Sequence, residues 1–123
     1  MSIGGNIQAL LQVKGNRAKN SIGACEYEWL DCISVLGWLD LSAGDSKYTN
    51  FNAKIQESTH IFLCDYQPLA GNVTVDEQEK MVQITSENAR MVIQGLVYEI
   101  LLIDNPMNRN EHLEIYLRFI GGQ

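Results

Sequence analysis

The sequence predicts an all-β fold, mainly antiparallel, built as a small β-barrel or sandwich of five to six strands with one long loop and one short helix. Alternating apolar and polar residues recur along much of the chain, and Gly, Asn and Pro turn signals separate these runs. The length of 123 residues fits one domain. We therefore interpret residues 1–123 as a single β-barrel domain.

The alternation is clearest in the last third of the chain. In residues 111–120, apolar side chains at every second position alternate with polar ones, which predicts an antiparallel strand with one solvated face. Residues 89–93 and 96–103 predict a hairpin across Gln94 and Gly95, so residues 89–120 predict a three-stranded meander. Glu99 interrupts an otherwise apolar arm, and we expect it to face Arg118, Arg90 or solvent.

The first half of the chain predicts three further strands. Residues 7–14 alternate and are followed by a polar stretch from Gly15 to Ser21, which predicts a strand that ends in a loop. Residues 27–41 are rich in β-branched and aromatic side chains, which favours a long strand, bent or bulged at Gly37, over a helix. Residues 59–66 predict another strand.

Two polar segments separate these strands. Residues 42–58 show little periodicity, and a loop of this length in a compact domain is usually functional or disordered. Residues 67–87 begin with turn signals and then place Thr74 three residues before Glu77, which is a capping-box pattern. This pattern predicts one short helix that ends near Val82.

The charge balance disfavours several classes of partner. Nine Lys and Arg residues against fifteen Asp and Glu residues give a net charge of −6. Nucleic acids and anionic membranes are both bound mainly through clustered cations, and the cations of this chain form no run. We also expect no secretion signal and no membrane-spanning segment, because no apolar run approaches the required length.

The chain offers little that resembles a catalytic, metal or cofactor site, and we expect none of the three. Cys25, Cys32 and Cys64 are irregularly spaced, which indicates reduced thiols in a cytosol rather than a disulfide framework. His60 and Cys64 share a strand face, but four strand residues separate them by about 13 Å, which is too far for one metal ion.

The acidic residues have structural interpretations as well. Asp76, Glu77 and Glu79 fit the solvated start of the predicted helix, where carboxylates interact favourably with the helix dipole. Glu99 and Glu114 lie on neighbouring predicted strands and form a conceivable carboxylate pair, but nothing in the sequence indicates a cleft around them. The sequence therefore predicts a protein that is not an enzyme.

The aromatic residues point to binding rather than catalysis. Trp29 and Trp38 stand in an apolar run and are expected in the core. Tyr48 and Phe51 stand in the polar loop, where such side chains either pack the loop against the barrel or bind a partner.

The region from Ile84 to Phe119 resembles the head-closure (head-tail joining) proteins of tailed phages. The similarity lies in four stretches: Ile84-Thr-Ser-Glu-Asn-Ala-Arg-Met-Val-Ile, Gly95-Leu-Val-Tyr-Glu-Ile, Ile103-Asp-Asn-Pro and Glu111-His-Leu-Glu-Ile-Tyr-Leu. The Trp-bearing strand at residues 27–41 and the long loop after it also match the layout of that family. Residues 67–83 fit the family pattern poorly.

The resemblance implies a structural virion protein that forms a ring in the head-tail connector. Such a ring closes the DNA channel beneath the portal and adaptor after packaging and provides the docking face for the tail. The implied partners are copies of itself, the portal or adaptor ring, and a tail completion or tail tube protein. DNA passes only as cargo that the acidic surface repels, and no membrane is involved. The implied location is the virion, with the host cytoplasm before assembly.

Within this interpretation, the long loop is the expected interface. We hypothesise that Lys47, Tyr48, Asn50 and Phe51 contact a neighbouring subunit or partner, and that the free chain is a monomer. Two alternatives remain open at the level of sequence. One is a tail-side completion or terminator protein of the same virion, and the other is a small cytosolic β-barrel binding module.

Overall fold

The computed structural model describes residues 4–19, 25–41 and 58–122, and most of them belong to antiparallel β-strands. The eight strands are β1 (Ile7–Lys19), β2 (Cys25–Leu41), β3 (His60–Asp65), β4 (Ala70–Val75), β5 (Gln78–Gln83), β6 (Ala89–Ile93), β7 (Leu96–Asp104) and β8 (His112–Gly122). A single 3₁₀ turn, Pro106–Asn108, lies between β7 and β8. No helix in these ranges is long and apolar enough to cross a membrane.

Six of the strands close into a barrel, in the order β1-β2-β3-β8-β7-β6. Two meanders, β1-β2-β3 and β6-β7-β8, are joined where β3 pairs with β8 and where β1 pairs with β6, all antiparallel. Every barrel strand therefore has a partner on both sides, and β4 and β5 form a separate two-stranded hairpin. The all-β prediction is confirmed, with a barrel rather than a sandwich and with the predicted meander over β6, β7 and β8.

The barrel interior is filled by the inward-facing side chains of all six strands. Successive residues of a strand point to opposite faces, so the alternation seen in the sequence becomes an inner and an outer wall. The predicted inner face of β8 is correct for Leu113, Ile115 and Leu117, which are buried, whereas Phe119 lies half-exposed where the strand ends. The largest fully buried side chains are Phe62, Leu11, Met91, Ile93, Ile115, Leu117, Val13 and Cys64.

The bulge considered at Gly37 is not found there, because the pairing of β2 continues through this residue without a register shift. The register shift lies near Cys32, which is left as the extra residue between Asp31 and Ile33. Gly37 has another role: a Cβ atom at this position would lie 2.2 Å from the Leu63 carbonyl oxygen and 2.7 Å from the Phe62 ring. The glycine thus allows β2 and β3 to approach each other closely.

The loop predicted after residue 14 is also wrong. β1 continues to Lys19, and a second register shift between Lys14 and Arg17 accommodates Gly15 and Asn16 within the strand. The long strand β2 supplies backbone partners along this stretch, and this pairing outweighs the local turn preference of Gly-Asn.

The helix predicted over residues 74–82 is wrong, because this segment forms the β4–β5 hairpin. Asp76 and Glu77 have φ values of 51° and 66°, the pair of left-handed conformations found in tight two-residue hairpin turns. The capping-box pattern therefore coincides with a turn. The alternation of Val73 and Val75 was the stronger signal, since Val73 belongs to the main core and Val75 packs against it.

The hairpin gives the barrel two different ends. Val73 and Ile84 join the core cluster, and a Cβ atom on Gly71 would lie 2.6 Å from Ile33 Cγ2, so β4 packs closely on β2. We call this the hairpin end. The opposite end, where Leu41 pairs with His60 and residues 42–57 connect β2 to β3, is called the loop end.

Replacing Gly37 with Ala should destabilise the barrel, because the new methyl group would overlap backbone atoms that cannot move without breaking the β2–β3 ladder. We expect the free energy of unfolding to fall by about 1–3 kcal/mol in urea denaturation. Ser34→Ala, at an exposed position of the same strand, is the control and should change it by less than about 0.5 kcal/mol. An unchanged midpoint for Gly37→Ala would show that the two strands are not as close as described.

Candidate interaction surfaces

The predicted interface residues Lys47, Tyr48, Asn50 and Phe51 lie outside the described residues. The barrel itself shows where this segment is attached. Leu41 ends β2, and on the return side the Thr59 backbone N–H donates to the Leu117 carbonyl at 2.8 Å. The Thr59 hydroxyl accepts a hydrogen bond from the Phe119 N–H, also at 2.8 Å. Thr59, just before β3, is therefore fixed to β8.

Large apolar side chains are exposed toward the same end of the barrel. Leu41, Leu96, Phe119 and Ile120 are 74%, 40%, 44% and 61% exposed, and we call them the apolar rim. Strand pairing brings them to the same end, since Leu41 lies beside the start of β3 and Leu96 pairs near the end of β8. Exposed apolar side chains at one end of a domain are typical of protein-binding surfaces.

An aromatic stack supports the rim from inside the barrel. Tyr98 is 3% exposed, and its ring makes edge contacts with His60 and Phe119 at centroid distances of 5.1 and 5.6 Å. The His60 Nδ1 atom lies 2.9 Å from the Thr59 hydroxyl. His60 is therefore part of the packing at the loop end.

A row of polar side chains crosses the outer wall of five strands. Asp31, Gln12, Arg90, Glu99 and Arg118 are successive cross-strand partners from β2 through β1, β6 and β7 to β8. The Gln12 amide donates to the Asp31 carboxylate at 2.8 Å, and the Arg90 Nε donates to the Gln12 carbonyl oxygen at 2.8 Å. Glu99 accepts from Arg118, which confirms one of the orientations expected for this glutamate.

Gln12 is the centre of this polar row. It is 7% exposed, so both ends of its amide must find partners within the protein. Arg118 and Glu99 are both about half-exposed, and a surface ion pair of this kind adds little stability. The buried amide at Gln12 is therefore the member of the row whose loss matters most for stability.

A groove of about 340 Å³ lies beside this row on the outer wall. Its lining includes Lys14, Trp29, Glu87, Arg90 and Ile120. The Arg90 guanidinium lies 4.5 Å above the centre of the Trp29 ring, a cation–π contact, and partial burial lowers the pKa of Arg90. Within the described residues, the Arg90 Nε atom is hydrogen-bonded and its two terminal amino groups are not.

The core placement predicted for the two tryptophans is wrong. Trp29 is half-buried on the outer wall, at the groove, and Trp38 is 44% exposed on the same strand. Both face outward because Leu30, Val35 and Leu39 occupy the inward positions of β2. An apolar run that is hydrophobic on both faces does not reveal which face is inside.

A second polar cluster lies on the outer face of β8. The Glu114 carboxylate accepts a hydrogen bond from the Tyr116 hydroxyl at 3.0 Å and lies 3.0 Å from the His112 Nε2 atom. Burial, followed by this hydrogen bond and the charges of Glu114 and Asp104, raises the pKa of Tyr116 to about 12. Glu114 and Glu99 thus have separate partners and do not form a carboxylate pair.

The thiols and acidic side chains that were considered as ligands do not converge in the part of the chain described. Cys32 and Cys64 are free thiols, and burial, together with the charge of Asp65, raises the pKa of Cys64 to about 11. The described residues contain no group of three or more His, Cys, Asp or Glu side chains placed to hold a metal ion. The acidic side chains from Asp76 to Glu79 surround the hairpin turn instead of a helix start.

Removing the amide at Gln12 should destabilise the barrel, because Asp31 and the Arg90 Nε atom would both lose a hydrogen-bond partner. For Gln12→Ala we expect a loss of about 1–3 kcal/mol in the free energy of unfolding. Gln8→Ala is a matched control, since Gln8 is exposed on the same face of the same strand. Equal effects of the two variants in urea denaturation would contradict the central role of Gln12.

The raised pKa of Tyr116 predicts a loss of stability in alkali. The pKa of Tyr116 is about 10 in the unfolded chain and about 12 in the folded protein, so the folded protein binds the phenolic proton more tightly. The stability that this tighter binding provides is fully present below pH 10 and is lost as the pH rises to 12. Tyr116→Phe should flatten the stability profile over this interval. Glu114→Gln should move the tyrosinate absorbance transition toward pH 10. A transition unaffected by Glu114→Gln would show that the hydrogen bond and charge of Glu114 do not contribute to the raised pKa.

Comparison with known proteins identifies no family for this chain. No protein-family model and no curated protein matches this chain.

Proposed function

We propose that this protein is a structural subunit of a tailed-phage or prophage virion, which joins others in a ring at the head-tail connector. In that place it closes the DNA channel beneath the portal or adaptor and provides the docking face for the tail. The observation that carries the proposal is the apolar rim of Leu41, Leu96, Phe119 and Ile120 around the attachment of residues 42–57. A surface of this kind fits a protein partner better than a small substrate.

The closed barrel supports a scaffold role. Its core is filled by fully buried side chains such as Phe62 and Met91, and each barrel strand pairs with a neighbour on both sides over part of its length. A rigid unit of this kind keeps its shape while surface segments make contacts with neighbours. Residues 42–57 are long enough to reach about 25 Å out and back, which is sufficient for contact with an adjacent subunit.

The charge of the chain supports passage of DNA rather than its binding. A net charge of −6 repels a phosphate backbone, and the groove cations Lys14 and Arg90 lie beside Glu87 and Glu99. A nucleic-acid-binding barrel would instead need a continuous basic surface with exposed aromatic rings. We therefore place DNA in the role of cargo, and we assign no catalytic activity to the chain.

Deletion of the gene from the parent phage tests the proposal directly. We expect electron microscopy to show heads that package DNA, lose it and remain without tails, while free tails accumulate. Full heads with missing or abnormal tails would instead place the protein on the tail side of the joint. Normal particles would overturn a virion role and favour a cytosolic binding module.

Replacement of Tyr48 and Phe51 by Ala tests the loop hypothesis, because both aromatic side chains are proposed to anchor a neighbouring subunit. We expect incorporation of the protein into heads to fall at least tenfold, with the thermal unfolding midpoint of the isolated chain unchanged. Tyr66→Ala, at an exposed tyrosine of the hairpin end, is the control and should be incorporated normally. Incorporation of the double variant at the wild-type level would show that Tyr48 and Phe51 do not anchor a neighbouring subunit.

A further inference from the structure

Two adjacent rows of cross-strand neighbours lie on the outer wall of β2, β3, β8 and β7. The first row consists of Trp38, Leu63, Glu114 and Asp104. The second lies two residues along each strand and consists of Asp40, Ile61, Tyr116 and Leu102. On each strand, the two residues flank a side chain that packs in the core, so both point outward. We call these two rows the Trp38 face.

Much of this face is apolar although it lies outside the core. Trp38 is 44% exposed, and Leu36, which precedes it on the same side of β2, is 58% exposed. Ile61 and Leu63 continue the apolar surface onto β3, where both are half-buried. Apolar side chains that adjoin one another across strands on an outer surface are typical of a contact with another protein.

The charge of the Trp38 face is negative and is not balanced by Lys or Arg, since neither row contains one. Asp104 and Glu114 lie directly opposite each other on β7 and β8, and like charges in this position destabilise a sheet. Glu114 contacts His112 and Tyr116, whereas Asp104 makes no hydrogen bond or ion pair with any described residue. Besides burial and the hydrogen bond to Glu114, the charges of Glu114 and Asp104 raise the pKa of Tyr116, so their negative potential extends across both rows.

The polar row on the same barrel treats its charges differently. There Glu99 accepts from Arg118, and the Arg90 Nε donates to Gln12, so each charged group has a hydrogen-bond partner on a neighbouring strand. Arg118 is the cation next to the Trp38 face along β8, but its guanidinium is held by Glu99. A cation for Asp104 and Glu114 must therefore come from another molecule.

We infer that the Trp38 face docks a protein partner that presents an arginine or lysine between apolar side chains. The apolar groups of the partner cover Trp38 and Leu63, which removes apolar surface from water. Its cation lies against Asp104 and Glu114 and neutralises their repulsion. The same face of a second copy does not fit, because it would bury carboxylates without a cation. Nucleic acid does not fit either, since its phosphates would meet the same carboxylates.

Synthetic peptides supply a partner of the required chemistry. The probe is a blocked pentapeptide, Leu-Arg-Leu-Arg-Leu, and two matched peptides carry glutamine or glutamate in place of arginine. The readout is the pair of indole N–H resonances of Trp38 and Trp29 in isotope-labelled protein, assigned with Trp38→Phe. Trp29 lies at the groove beside the polar row and reports binding elsewhere on the barrel.

We expect the arginine peptide to shift Trp38 saturably at millimolar concentration and to leave Trp29 in place. The glutamine peptide should bind at least threefold more weakly, and the glutamate peptide should give no saturable shift. No shift of Trp38 with the arginine peptide, equal binding of the arginine and glutamate peptides, or equal shifts of both tryptophans would each overturn the inference.

Variants of the carboxylates test the charge directly. Asp104→Asn with Glu114→Gln should weaken binding of the arginine peptide at least threefold, because the partner's cation loses both of its anions. Asp104→Asn alone should weaken it in the same direction, and this variant removes no contact that the fold uses. Glu77→Gln with Glu79→Gln, on the β4–β5 hairpin, removes the same number of charges and should bind as the wild type does. Equal affinities of the two double variants would contradict the role of Asp104 and Glu114.

A dilution series without peptide tests the competing occupant. We expect the Trp38 resonance to stay in place from micromolar to millimolar protein, whereas a saturable shift with concentration would show that a second copy covers the face and would overturn the choice of partner. These titrations use the isolated chain, so they do not depend on the virion role. Gene deletion and the peptide titration can therefore fail independently of each other.

Discussion

Closure of the barrel between β1 and β6 is the constraint on which the rest of the structure depends. β1 pairs with β2 along nearly its whole length and also with β6 over residues 9–13, so it closes the sheet that β3 and β8 already join into a barrel. Without this pairing, the inner faces of both meanders would be exposed, including fully buried side chains such as Leu11 and Met91. Closure also gives each barrel strand a ladder partner on both sides over part of its length, which reduces the exposed edges through which β proteins aggregate.

Closure also creates the polar row on the outer wall. Asp31, Gln12, Arg90, Glu99 and Arg118 come from five strands and become neighbours only because the registers of four strand pairs agree. A shift of one residue in any of these pairs would turn part of the row into the core. The polar row and the apolar core therefore both require the same strand register.

The two ends of the barrel serve different purposes in the proposed assembly. The loop end combines the apolar rim with residues 42–57, and the hairpin end is covered by β4 and β5. The rim exposes apolar area, which is the kind of surface that contributes most to the affinity of a protein contact.

The sequence by itself determined the all-β class, the β6–β8 meander and the inner face of β8, because period-2 alternation is a local property of each strand. It missed the β4–β5 hairpin, since the spacing of Thr74 and Glu77 resembles a capping box as closely as it fits a turn. The continuation of β1 through Gly15 was decided by pairing with β2, and the exposure of Trp38 by which face of β2 lies inside. These features depend on contacts between residues distant in the chain, which only the tertiary structure brings together.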